Sequence, residues 1–488
     1  MKLLRHTLVF CSALSFLARV GPAGENAVNP QISKIASDVS EDRIKAIIEK
    51  LVSFGTRNTM SDPTDPAHGV GAARQWILEQ FQSYSPKLQV RFEKFRVKKQ
   101  GQRIFKDVDL YNVVAVLPGK TMPETEVWIT GHYDSINLGT RPPAPATDGA
   151  ATKASGASDN PTQNMTPEDF EKNAALPAPG ACDDGSGTAA VMELARVMSQ
   201  YEFDKTLVFA TFAGEEQGLI GSSLEAAKAH KENEVIEAVL NNDIIGTDTS
   251  GNGRFSNTSL SVYSDETMDS PSQELSRYVR EIGERYIPSM KVDTVFMGDR
   301  LGRGGDHTPF QWEGYAAVRF STPNEIYANQ HHATDLLENM SVPYTAKVAR
   351  VNGVVAASLA LSPKAPNVMR QPPPPRAWEK TDGATPAPPR RPTPTISRGK
   401  SGYDALLQWK PVGPDAAIKG YTIVIRSTTS AYWEQEIYVG KVTEYLMKDV
   451  SIDDMKFGVK AIGADGGESL VAAYVYPARA KTEIQTVQ

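Results

Sequence analysis

The chain has 488 residues, 40% of them hydrophobic and 23% charged, which is a globular composition on a chain too long for one compact core of ordinary size. Its formal net charge of -6 gives no reason to expect nucleic acid as a partner.

Lys2 and Arg5 precede the apolar run "TLVFCSALSFLA" and the small-residue stretch "GPAG". A basic start, a short apolar run and a cleavage-like site read as a secretory signal peptide over residues 1–23, cut after Ala23. The alternative is a buried N-terminal helix. The run falls short of the roughly 20 apolar residues that span a bilayer. No later segment reads as transmembrane, so the mature protein is expected to be soluble and secreted or periplasmic. Cys11 would leave with the signal, stranding Cys182 without an intramolecular disulfide partner.

From Ser40 to about Leu361, helical and strand patterns alternate. "EDRIKAIIEKLVSF" and "GVGAARQWILEQFQSY" carry apolar residues at helical spacing, and "LQVRFEKFRV" alternates like a half-buried strand. "YNVVAVLPG", "VWITG", "TLVFATFAG" and "AAVRFST" are continuous apolar runs, which predict central strands covered on both faces. The fold class expected is α/β, with a mixed, mostly parallel sheet flanked by helices over residues 24–364.

Residues 139–180 are rich in Pro, Ala, Ser and Asn and predict a long loop, either a lid or rim or an insertion without consequence. Residues 365–398 read as a proline-rich, semi-rigid linker. Beyond it, over 399–480, short alternating strands such as "GYTIVIRS" and "KFGVKAIGADGGES" predict a small all-β sandwich. The spacing of Leu407, Trp409 and Pro411, then Tyr421 and Ile423, then Phe457 and Val459, resembles a fibronectin type III domain. Trp409 and Tyr421 would be core residues there. This unit is read either as a contact for a polymer or cell surface or as a support for the larger domain.

Chemistry-bearing residues gather at the predicted strand ends, where ligands collect in open α/β sheets. His132 closes "VWITGHYDS", and Asp134 two residues later could orient its second ring nitrogen. Taken alone, a strand-end His is as readily structural. Asp183 and Asp184 precede a Gly-Ser-Gly turn that opens a helix. Capping accounts for one carboxylate but not for the second or for the glycines. Glu215 and Glu216 follow the strongest strand run. Asp243 follows "VIEAVL", and His331 and His332 lie in "NEIYANQHHATDLLEN". Nitrogen and carboxylate groups without thiolates suit a divalent ion such as Zn²⁺, and more than three acids suggest two ions sharing one carboxylate.

In this order, "GHYDS", "PGACDDGSGTAAV", "FAGEEQGLIGS", "NNDIIG" and "HHATDLLEN" resemble the zinc-dependent exopeptidases of peptidase family M28, the bacterial leucyl-type aminopeptidases among them. The resemblance covers about residues 40–361. It implies that His132 and Asp243 bind one zinc, Glu216 and His331 the other, and that Asp183 bridges them. It further implies Glu215 as general base and Asp134 as the partner of His132. His331 is preferred to His332 because the family places an Asp four residues after the ligand, matching Asp335. Many relatives carry Tyr before that His, where a phenol helps an oxyanion; here it is Gln330. Asp306 and His307 in "GGDHTPF" match a family stretch near the site that does not ligate, and read as pocket or structural residues. The implied activity is an aminopeptidase acting on peptides with a free N-terminus. The alternatives are a carboxypeptidase, a dipeptidase, a glutaminyl cyclase-like enzyme, or a non-catalytic binding protein.

Overall fold

The computed structural model describes residues 28–139, 165–372, 391–414 and 417–477. The signal-peptide reading of 1–23 therefore lies outside the described residues. Eight strands form one sheet: β1 (Gln89–Val97), β2 (Val108–Leu117), β3 (Met122–His132), β4 (Lys205–Phe212), β5 (Val235–Asn242), β6 (Ser259–Tyr263), β7 (Lys291–Val295) and β8 (Ala317–Ser321). Their order is β1-β2-β4-β3-β5-β8-β6-β7. The central strands β4, β3, β5 and β8 run parallel, and antiparallel pairings join β2 and β6 to that centre. This is the mixed, mostly parallel α/β sheet that the apolar runs predict.

Every residue of β4 is buried. Leu207 and Phe209 enter a core shared with the helices Glu41–Ser53, Gly185–Met198 and Val342–Leu361. Val208, Ala210 and Phe212 point the other way, into a smaller core under the helices Ile220–Glu232 and His307–Trp312. Successive strand side chains face opposite sides, so a strand covered twice must be apolar throughout. Burying each large side chain contributes about 1.5–3 kcal/mol.

Two stretches read as loop and linker carry more structure than their composition suggests. Within 139–180, the helix Pro167–Asn173 is held by a capping box between Thr166 and Asp169, and Phe170 is buried. Residues 140–164 lie outside the described residues, as do 373–390 of the proline-rich stretch. The flanks of the latter pair with each other, Met369–Arg370 against Thr393–Pro394, and Val368 enters the C-terminal core.

That C-terminal region is all-β: a three-stranded and a four-stranded antiparallel sheet share a core in which Trp409 meets Tyr421 at 5.4 Å between ring centroids. It docks on the helix Pro271–Tyr286 through polar contacts. Arg277 donates to the Ala431 carbonyl at 2.7 Å and Trp433 Nε1 to Glu274 at 3.0 Å, while Arg426 pairs with Asp269.

Arg57, fully buried, ties the site's framework together. Its guanidinium donates to the carbonyls of Leu51, Tyr133, Pro179 and Gly180 at 2.5 to 3.2 Å. Burial pulls its pKa down to about 10 against the opposing pull of Asp335, Asp134, Asp184 and Asp183. Arg57→Met leaves those carbonyls without donors and those carboxylates without a cation. It should lower the unfolding free energy by about 3–5 kcal/mol, read from urea titration.

Candidate metal centre

The carboxyl ends of the parallel strands place the chemistry-bearing side chains in one cluster. His132 ends β3, Glu215 and Glu216 follow β4, and Asp243 follows β5. Asp183 and Asp184 lie where the chain enters the helix Gly185–Met198, across a cis peptide bond. At Gly187 a Cβ would stand 2.3 Å from both the Asn242 carbonyl and an Asp184 oxygen, so glycine lets the helix N-terminus close onto β5.

Two triads emerge: His132, Asp183 and Asp243, and Asp183, Glu216 and His331. Asp183 belongs to both. Its Oδ1 lies 3.2 Å from His132 Nε2 and its Oδ2 3.2 Å from His331 Nε2. His132 Nε2 is 3.8 Å from Asp243 Oδ1, and His331 Nε2 is 3.3 Å from Glu216 Oε2. His331 has φ of 58°, in the left-handed region, and its carbonyl accepts from the Leu138 amide at 3.0 Å. The triad contains His331, with His332 beside it in the chain.

Asp134 backs the cluster. Its Oδ1 is 3.5 Å from His132 Nδ1, and its carboxylate accepts from the amides of Glu215 and Glu216 and from Thr59. Asp134 thus orients the imidazole through its backbone carbonyl, 3.1 Å from His132 Nδ1, while its side chain fixes the turn that carries both glutamates. Those glutamates differ in exposure: the Glu216 side chain is 3% exposed and the Glu215 side chain 14%. Glu215 Oε2 is 4.0 Å from His132 Nε2, at the open side of the cluster. Gln330 donates to Glu325 at 2.6 Å and accepts from Arg303 at 3.3 Å, so its amide is already engaged. Asp306 is buried and precedes the helix His307–Trp312, within the field of Asp243 and Asp134.

The second aspartate of the Asp-Asp pair has a separate task. Asp184 caps the helix through the Gly187 amide at 2.8 Å and also accepts from the amides of His132 and Ile244. It joins the helix start to β3 and to the chain leaving β5.

Composition and spacing gave no role to three residues here. Asp335 accepts from the amides of Cys182 and Asp183 at 2.9 and 3.0 Å, positioning the aspartate that the two triads share. Arg57 supplies charge from a segment with no distinguishing pattern. Arg319 lies in β8 with Nη2 3.0 Å from Asp243 Oδ1 and Nη1 2.6 Å from Asp299. The readable signal for Arg319 was a charge inside the apolar run "AAVRFST".

The donor set fits a divalent cation on two grounds. It is imidazole nitrogen and carboxylate oxygen, the ligands that borderline ions such as zinc take. Moreover, His132 Nε2 and Glu216 Oε1 are buried, and neither has a hydrogen-bond partner among the described residues.

Such crowding leaves its mark on protonation. Burial, then Asp183 and Asp134, pushes Glu216 up to about 7 against the pull of the two histidines. Burial also raises Asp335 to about 7 despite its amide donors. His331 rises to about 9: burial would lower it, but Glu216 and Asp183 outweigh that.

These features define a candidate metal centre at the strand ends of an α/β domain. The sequence profile described as Peptidase family M28 matches residues 112–356. A probable zinc metalloprotease of Pyricularia oryzae is 34% identical over 501 residues, covering 95% of this chain and 88% of that protein. Another, of Leptosphaeria maculans, is 32% identical over 488 residues, covering 94% and 99%. The chain belongs to peptidase family M28. Among solved structures, the Legionella pneumophila LapA aminopeptidase aligns at 19% identity with a TM-score of 0.49, over 73% of this chain and 80% of that one. The aminopeptidase from Aneurinibacillus sp. strain AM-1 aligns at 16% identity and TM-score 0.48, over 68% and 96%.

A pH dependence follows for the chelated protein. Carboxyl groups raised in the folded state favour folding while protonated, and that stability is lost as pH climbs from the unfolded value of about 4 through about 7. The raised His331 adds stability that is present below about 6.5 and lost through about 9, in the same direction. Melts with chelator should therefore show the melting temperature falling from about pH 5 to pH 9. With zinc restored the fall should vanish, because metal binding favours the deprotonated ligands.

Proposed function

We propose that this protein is an exported di-zinc aminopeptidase that removes N-terminal residues from peptides. The observation that carries the reading is the pair of His–carboxylate triads sharing Asp183, with Glu215 beside them 4.0 Å from His132 Nε2. The names of its fungal relatives support zinc as the metal. His132, Asp183 and Asp243 would hold one ion, and Asp183, Glu216 and His331 the other. When bound, zinc supplies Lewis acidity to the scissile carbonyl and lowers the pKa of water toward neutrality.

Glu215 is the general base. It accepts the proton of the attacking water and returns it to the leaving amine. Burial and the charges of Glu216, Asp243 and Asp306 raise its pKa above the usual carboxylate range despite the pull of His132. Asp134 keeps Nδ1 of His132 in place and holds the Glu215 amide, so base and imidazole stay in register. The surplus of carboxylates favours a cationic group, the ammonium of a free peptide N-terminus, over a C-terminal carboxylate. Gln330 would serve an oxyanion only after exchanging its partner Glu325.

Export is supported by the signal-like N-terminus, and among the described residues no helix is long and apolar enough to cross a membrane. The C-terminal β unit, read as fibronectin type III-like, is proposed to act as a support through its contacts on the helix Pro271–Tyr286.

Glu215→Gln should retain two zinc ions per chain by elemental analysis and lose at least about 100-fold in kcat on aminoacyl anilides. Near-normal turnover in that variant would remove Glu215 as the base. Cleavage of N-blocked peptides but not of free ones would exclude an aminopeptidase.

A further inference from the structure

Arg319 makes the two triads unequal. It is 1% exposed, and it lies in β8 opposite Asn241 of β5, two residues before Asp243. The Asp243 amide donates to the Phe320 carbonyl at 3.1 Å, so the sheet fixes the two side chains relative to each other. The guanidinium is held from three sides: Asp243 Oδ1 at 3.0 Å, Asp299 Oδ2 at 2.6 Å and the Gly304 carbonyl at 2.8 Å. Gly305 closes over the pair, where a Cβ would stand 3.2 Å from both Arg319 Nη1 and Asp243 Oδ2. The Asp243 oxygen that pairs with Arg319 is also the oxygen that faces His132 Nε2 at 3.8 Å.

Among the described residues the other triad has no Lys or Arg paired with its carboxylates. Glu216 faces His331, and Arg103 reaches the Glu216 backbone carbonyl. Arg303, whose charge acts on His331, pairs with Glu325 at 3.1 Å, whereas Arg319 reaches an oxygen of its own triad's carboxylate. Asp134 adds negative charge on the far ring nitrogen of His132, but it is spent on the Glu215 and Glu216 amides and Thr59. A fixed positive charge within hydrogen-bond distance of a ligand oxygen opposes a second cation on that oxygen. Shifts of one to three pKa units are typical of such a neighbour on a proton, about 10- to 1,000-fold in affinity.

We propose that Arg319 sets the order in which the centre fills. The Asp183–Glu216–His331 triad takes its ion first, and the His132–Asp183–Asp243 triad holds the weaker, exchangeable one. This inference rests on the reading that both triads bind zinc.

The test measures zinc affinity by competition with a chromophoric chelator. It uses the whole chain and two single-site chains, His331→Ala, which leaves the Asp243 triad, and His132→Ala, which leaves the Glu216 triad. His331→Ala should bind zinc about tenfold or more weakly than His132→Ala. Because Arg319→Met alone would leave Asp299 and Asp243 facing each other, it is combined with Asp299→Asn. In the His331→Ala background that combination should tighten zinc by about tenfold, and in the His132→Ala background it should change affinity less than about twofold. Asp299→Asn alone leaves Arg319 to Asp243 and should weaken the same triad further. An unchanged or weaker affinity of the combined variant in the His331→Ala background overturns the proposal. Equal shifts in both backgrounds, the mark of a merely structural change, overturn it too. A whole chain that takes up two ions with equal affinity overturns this inference alone, whereas one that takes up none overturns the metal-centre reading with it.

Discussion

Mutual repulsion among buried carboxylates is the constraint around which this protein is built. Asp134, Asp183, Asp184, Glu216, Asp243, Asp306 and Asp335 are all buried at the same end of the sheet, with Glu215 at their edge. Like charges in a low-dielectric surrounding push one another toward protonation, and a fold that keeps them must bring compensation. Some of it is backbone: Asp134, Asp184 and Asp335 each accept two or more hydrogen bonds from amides or hydroxyls. Some is fixed cation, from Arg57 and Arg319. The remainder is available to bind cations, which is what a metal centre requires.

Placement at the strand ends makes this arrangement affordable. The parallel strands β3, β4 and β5 end side by side, so residues far apart in sequence meet without long loops. The helix Gly185–Met198 adds the positive end of its dipole beside Asp183 and Asp184. Its close approach to β5 depends on Gly187, and Asp184 locks the three elements with one side chain. The cluster thus rests on the ends of regular elements: His132 closes β3, Asp243 directly follows β5, Asp183 lies in the turn entering the helix Gly185–Met198, and Glu216 and His331 come from turns. Rigid support of this kind holds ligand geometry better than loops alone.

The C-terminal β unit connects to this centre at a distance. Its polar contacts fall on the helix Pro271–Tyr286, which packs against Val342–Leu361, and that helix in turn packs on Gly185–Met198. Lys460, 3% exposed at its side chain, sits among Glu281, Glu436 and Glu468, so charges from both regions are shared there. Removing these acids would leave the buried Lys460 ammonium without its partners.

The α/β class and the residues at the strand ends were legible in the sequence because both follow from local pattern. Continuous apolar runs demand strands covered on two faces, and polar groups just after such runs have no place except the sheet's end. The helices Glu41–Ser53 and Gly69–Tyr84 were readable for the same reason, from their periodicity. The helix Pro167–Asn173 was not, since a single turn-length capping box around Phe170 is hidden in a Pro- and Ser-rich stretch. Tertiary structure alone decided the electrostatics. The pair "EE" at 215–216 showed two repelling acids with no cation in the neighbouring sequence. The distinction between them arises from the buried position of Glu216 against His331 and the more open position of Glu215 beside His132, and the cations come from residues 57 and 319. Sequence dictates which side chains are available and on which strand they stand. Charge compensation depends on distances between separate segments, such as Arg319 and Asp243, 76 residues apart, or Asp134 and Glu215, 81 apart, and only packing sets those distances.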